Sequence, residues 1–103
     1  MNAIDVKTTG ELDAAVAEGD ALIDFWAVWC GPCMAMGGII EKELVPAMPR
    51  LKIVKVDVDK APELAARFGI VSIPHLVCYS GGVKKAEFTG VTSVREIVAA
   101  FGK

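Results

Sequence analysis

Residues 21–36 read ALIDFWAVWCGPCMAM. The first eight, Ala21 to Val28, form an almost continuous apolar run of β-favouring side chains, with the length and character of a strand covered on both faces. Cys30 and Cys33 follow, separated by Gly31 and Pro32, and a helical pattern takes over from about Met34. Cys30 thus falls where a strand ends and a helix starts. That places its sulfur near unpaired backbone N–H groups and the positive end of the helix dipole, which favours thiolate over thiol. Pro32 has no N–H to waste in a first turn, and Gly31 puts no side chain in the path of an incoming disulfide.

The spacing leaves three uses open. A zinc site normally wants a second ligand pair, and the candidate is His75 with Cys78; residues three apart on a strand project to opposite faces, which argues against it. A purely structural disulfide would not persist in a reducing compartment unless its potential were unusually low. A disulfide made and broken repeatedly is the third use. There, thiol acidity gains only severalfold in rate, because nucleophilicity falls as the thiolate fraction rises. The second cysteine contributes more, attacking from the same chain at a high effective molarity.

The rest of the chain sets the frame. Its 103 residues suit one domain, residues 1–103, with one core. The net charge is -2 and the eleven Lys and Arg residues are scattered, so nothing points to nucleic acid or a membrane surface as partner. Three cysteines are too few and too odd in number for a disulfide-stapled secreted scaffold, and MNAIDVKTTG lacks the regions of a signal peptide. A cytoplasmic setting is expected. Ala21 to Ile40 approaches the length of a membrane span, but Asp24 near its start and CGPC at its centre suit a strand turning into a helix better.

Element signals alternate along the chain. Ile4 to Val6 reads as a short strand; Thr8 with Glu11 makes a capping box for a helix through Leu12, Ala15 and Val16, ended by Gly19 and Asp20. The helix from Met34 should run towards Leu44 and Val45 and stop near Pro46 and Pro49. LKIVKVDVD (51–59) alternates as a strand, Pro62 opens a short helix ending near Gly69, and PHLVCY, SGG and VKKAEFT form a hairpin. Ser93 with Glu96 caps a last helix through Ile97, Val98 and Phe101. The order β-α-β-α-β-α-β-β-α predicts an α/β domain, a mixed sheet with helices on both faces and an antiparallel closing hairpin.

DFWAVWCGPC (24–33), KVDVD (55–59) and FGIVSIPHLVCY (68–79), in this order and spacing, resemble the thioredoxin family over nearly the whole chain. The resemblance implies the thioredoxin fold, a five-stranded sheet in order 1-3-2-4-5. It also implies a reversible Cys30–Cys33 dithiol that reduces disulfides in other proteins, has no cofactor or metal of its own, and is recharged by a flavoprotein thioredoxin reductase. By position, Cys30 is the attacking nucleophile and Cys33 the buried resolving thiol. Asp24 matches the family's buried acid, which takes the proton from Cys33 through water, and Lys55 its charged neighbour. Desolvation would raise the Asp24 pKa towards a useful range for a base, and Lys55 would oppose that. The bland alternative is that Asp24 merely pairs with Lys55. Pro74 matches the cis-proline, freeing the backbone of Ile73 to pair with an extended substrate segment. Trp29, Gly31, Pro32, Ile73, Gly90 and Val91 match the flat apolar rim around an exposed Cys30 sulfur.

Some positions depart from the family pattern. His75, the only histidine, stands where a small hydroxyl residue usually follows the cis-proline; it could tune the thiols, or be an imidazole with no redox role. Met34 replaces a lysine and Gly38 a kinking proline. Gly37 and Gly38 each cost a helix about 1 kcal/mol relative to alanine, which suggests a local bend or close packing there. Met34 and Met36 read as helix packing and Cys78 as a small buried hydrophobe. The rival functions are a redox-switched interaction module for one partner and a CxxC metal-binding domain.

Overall fold

The computed structural model describes residues 3–103. Strands β1 (Ala3–Asp5), β2 (Asp20–Trp26), β3 (Lys52–Asp57), β4 (His75–Ser80) and β5 (Val83–Thr89) form one sheet in the order β1-β3-β2-β4-β5. Pairing is parallel among β1, β3 and β2, and antiparallel from β2 to β4 and from β4 to β5. The expected topology and central position of β2 are therefore both observed. Five consecutive residues of β2, Ala21 to Phe25, are buried because both faces of this strand are covered.

Alternation along the strands feeds two cores. Ile23, Phe25, Val54, Val56 and Val77 pack with Leu12 and Val16 of α1 (Thr9–Val16) and Leu64 of α4 (Pro62–Arg67). Leu22, Ile53, Leu76 and Cys78 face the other way, against Met36 of α2 (Gly31–Ile39), Ile40, Leu44, Met48 and Ile97 of α5 (Val94–Ala100). Each large side chain so buried contributes about 1.5–3 kcal/mol against the entropy of ordering the chain. Both predicted capping boxes form: the Glu11 N–H donates to Thr8 Oγ1 at 3.1 Å and the Glu96 N–H to Ser93 Oγ at 3.2 Å, with each glutamate returning the bond.

The helical path that opens with α2 stops between Pro46 and Pro49, as expected, with Pro46 itself inside its last turn. After α2 the chain widens into a π-turn, Ile40–Leu44, closed by the Val45 N–H donating to Ile40 O, and α3 (Val45–Ala47) carries Pro46 inside it. The wider turn relieves the clash a proline ring would have with the carbonyl one α-turn back, and Pro46 has no N–H to leave unpaired. The helical path ends at Met48, whose backbone leaves the helical region. Close packing at Gly37 and Gly38 is also not found: a Cβ on either would meet no neighbouring atom within 4 Å. The departure from α geometry begins just beyond them, at Ile40.

The hairpin turn is Gly81-Gly82, both with positive φ (57° and 80°), as a type I′ turn requires. A Cβ at Gly82 would also lie 3.3 Å from Ala17 O. Gly82→Ala should destabilise the fold by about 1–2 kcal/mol, whereas Gly38→Ala, in a helix with open space, should stabilise it by about 1 kcal/mol. Denaturant unfolding of the two variants tests this opposite pair of signs.

Candidate active site

Cys30 is the N-cap of α2, with extended backbone (φ -94°, ψ 107°), and its Sγ accepts the Cys33 N–H at 3.2 Å. The strand-to-helix junction therefore seats the sulfur at an orphan donor of the helix start, as the sequence predicts. Pro32 lies in the first turn. Cys33, one helical turn on, is disulfide-bonded to Cys30 with a Cα–Cα distance of 5.2 Å. With Ala27 they form a small buried cluster, packed against Trp26, Val58 and Ile73.

The expected asymmetry between a bare Cys30 and a sealed Cys33 is not seen in this oxidised state: they retain 5% and 3% exposure. The exposed surface belongs to the neighbours. Trp29, Gly31, Pro32 and Val91 are exposed, Ile73 and Gly90 half-buried, and Pro74 buried. The Ile73–Pro74 peptide bond is cis, and the Ile73 carbonyl lies 3.9 Å from Cys30 Sγ. Access for an attacking thiolate is thus narrow, and of the predicted rim residues Ile73 packs directly against the pair.

Three further features of this surface were not read from the sequence. The Trp29 indole N–H donates to Asp59 Oδ2 at 2.7 Å, fixing the ring's direction; the charged positions of KVDVD hint at an exposed acid there but not at its partner. Val71 is 95% exposed, in a loop with no sequence signal for it. Met34 is 48% exposed, so the packing expected of it is not found, while Met36 is fully buried and takes the Thr92 N–H on its sulfur at 3.3 Å. A side chain just after the second cysteine starts the outward face of α2, a phase that the all-apolar pattern MAM could not reveal.

Asp24 and Lys55 stand opposite each other on β2 and β3, on the α2 side of the sheet. Asp24 is 1% exposed and its Oδ1 has no hydrogen-bond partner. The Lys55 ammonium lies 4.5 Å from the centre of the Trp26 ring, where cation–π attraction holds it, and does not close an ion pair on Asp24. Burial pushes the Asp24 carboxyl up to about 6, with the positive charge of Lys55 opposing the rise. A cavity of about 50 Å³, lined by Asp24, Gly37, Ile40, Glu41 and Lys55 among others, gives room for water beside the carboxylate.

His75 and Cys78 do not converge. His75 lies edge-on to Phe25 on the α1/α4 side, and Cys78 is buried in the core under α2 and α5, as the geometric objection to a zinc site required. Burial pushes the Cys78 thiol up to about 11. Among the described residues, no three of His, Cys, Asp and Glu come together in a way that could hold a metal ion.

A family model for thioredoxin matches residues 3–103. The chain belongs to the thioredoxin family. It is 42% identical over 78 residues to the thioredoxin of Bacillus subtilis (strain 168), covering 75% of each chain. To a thioredoxin of Staphylococcus aureus it is 38% identical over 75 residues, or 73% of this chain and 72% of that one. Among solved structures, oxidised mitochondrial thioredoxin 3 from Saccharomyces cerevisiae superposes with a TM-score of 0.87 at 25% identity, over 98% of this chain and 95% of that one. As a thioredoxin-family member it is a thiol–disulfide oxidoreductase with a redox-active cysteine pair, acting on disulfide-containing proteins. Among the described residues, no helix is long and apolar enough to cross a membrane.

The raised Asp24 pKa has a thermodynamic counterpart. Between pH 3.8 and about 6 the unfolded chain has lost this proton while the folded chain still holds it, so the contribution is fully present below 3.8 and is lost as pH rises through 6. The loss is about 3 kcal/mol. Asp24→Asn should therefore flatten the fall in stability across that window and leave the variant more stable than wild type at pH 7, as read by denaturant midpoints across pH.

Proposed function

We propose that the chain is a general reductase of protein disulfides, with residues 1–103 working as one domain. The observation that carries this reading is the pair itself: one sulfur at a helix N-cap, its partner one turn behind, and the cis Ile73–Pro74 peptide alongside. In the reduced chain the Cys30 thiolate attacks one sulfur of a substrate disulfide; a mixed disulfide forms and the first substrate thiolate leaves, taking a proton from solvent. Asp24, about nine-tenths ionised at pH 7 with its pKa at about 6, accepts the Cys33 proton through water. The Cys33 thiolate then attacks Cys30 Sγ, closing the Cys30–Cys33 bond and releasing the second substrate thiolate. Two electrons pass from the chain to the substrate.

Lys55 supports the step by opposing a still higher Asp24 value. Trp29, Gly31, Pro32, Ile73, Pro74, Gly90 and Val91 form the docking surface; backbone pairing at Ile73 and apolar contact elsewhere select weakly among sequences, which suits many partners. A cytoplasmic flavoprotein reductase returns the two electrons, and the cytoplasm is the setting in which such a cycle runs.

Turnover of a protein disulfide with dithiothreitol as reductant tests the reading. Cys30→Ser should be no faster than the uncatalysed reaction, and Cys33→Ser should accumulate mixed disulfides visible by mass; an active Cys30→Ser would end the proposal. Single-turnover rates of wild type should fall as pH drops through about 6, since Asp24 must be ionised to take a proton. Asp24→Asn should lose that inflection and react at least about tenfold more slowly near neutrality.

A further inference from the structure

Resting on the docking surface just proposed, one side-chain cluster outside it acquires a use. The two peptide segments of that surface, Ile73–Pro74 and Gly90–Val91, lie at the same end of the β4–β5 pair. Ile73–Pro74 runs directly into His75 at the start of β4, and Gly90–Val91 leaves directly from Thr89 at the end of β5. The Gly90 N–H joins them, donating to Pro74 O at 2.8 Å. One residue further along, His75 stands opposite Thr89.

The His75 ring binds two exposed residues of that β5 face, Thr89 and Glu87. Its Nδ1 is 3.1 Å from Thr89 Oγ1 and its Nε2 is 2.8 Å from Glu87 Oε2, while Lys84 Nζ holds the other oxygen, Glu87 Oε1, at 2.5 Å. Lys84 and His75 together hold the Glu87 carboxyl below the usual carboxylate range. An ionised carboxylate only accepts, so Nε2 carries its hydrogen. Nδ1 then accepts from the Thr89 hydroxyl in the neutral ring and donates to it in the charged ring. Both bonds therefore survive either protonation state. Phe25, directly opposite on β2, packs edge-on against the ring from beneath.

We propose that Glu87 is a positioning residue which, through His75, holds the two docking segments at a fixed separation and so favours extended protein disulfides over small ones. A polypeptide laid across both segments needs their spacing set beforehand, and loses affinity when that ordering has to be supplied on binding. A small disulfide needs only Cys30.

The test is single-turnover oxidation of the pre-reduced chain by insulin and by glutathione disulfide, for wild type, Glu87→Ala, Glu87→Gln, Thr89→Val and Val91→Asp. Glu87→Ala should raise the half-saturating insulin concentration about fivefold, within the strength of a charge-assisted hydrogen bond, and leave the glutathione disulfide rate within about twofold of wild type. Glu87→Gln keeps an oxygen for the Nε2 hydrogen and should recover most of the loss. Thr89→Val removes the other bond and should shift insulin in the same direction, which keeps the proposal testable if Glu87→Ala folds poorly. Equal changes for both oxidants, or none for insulin in Glu87→Ala and Thr89→Val while Val91→Asp raises the insulin value, overturn the clamp alone. An unchanged insulin value in Val91→Asp overturns the docking surface and the clamp with it.

Discussion

The active end of this molecule depends on a helix that begins at a sulfur. A helix start leaves backbone donors unpaired, and here one of them, the Cys33 N–H, is satisfied by the side chain of the residue that does the chemistry. The same contact fixes where Cys30 points, stabilises negative charge on it, and places Cys33 one turn away at bonding distance. The sulfur's position and its bonding partner are thus one geometric fact. The two-sided burial of β2 supplies the rigidity beneath it, since the strand that ends at Trp26 cannot shift without disturbing both cores.

Asp24 shows the cost of that arrangement. A carboxylate in the middle of a strand buried on both faces is cut off from bulk solvent, and its Oδ1 has no hydrogen-bond donor from the protein. Lys55, the cation able to relieve it, is drawn instead to the indole face of Trp26. The result is an acid that folding would rather keep neutral and that neutral pH ionises, which is the condition for lending and taking back a proton.

Much of this was legible in the amino-acid order because local and global signals agree. ALIDFWAV read best as a strand covered on both faces, the S/T-x-x-E boxes at Thr8 and Ser93 marked two helix starts, and the Gly-Gly pair marked the hairpin. The strand order needed the family resemblance, because periodicity says which face a residue takes and not which strand lies beside it. The stop between Pro46 and Pro49 was legible, but the π-turn that lets Pro46 sit inside the helical path was not, because one extra residue in a turn leaves no mark in the apolar pattern. Met34 misled because an apolar side chain beside an apolar run carries no phase of its own. The Glu87–His75–Thr89 contact was invisible for another reason: it depends on cross-strand register, and a bulge between Cys78 and Tyr79 lies along the way.

The third cysteine has a quieter significance. Sealed in the core under α2 and α5, with its thiol held near 11, Cys78 is almost never a thiolate under physiological conditions. It is a spectator sulfur: oxidants that cycle the helix-start pair find it chemically silent, so an odd number of cysteines brings neither shuffled bridges nor covalent dimers while the fold persists. Redox traffic is confined to one pair of atoms by solvation as much as by placement.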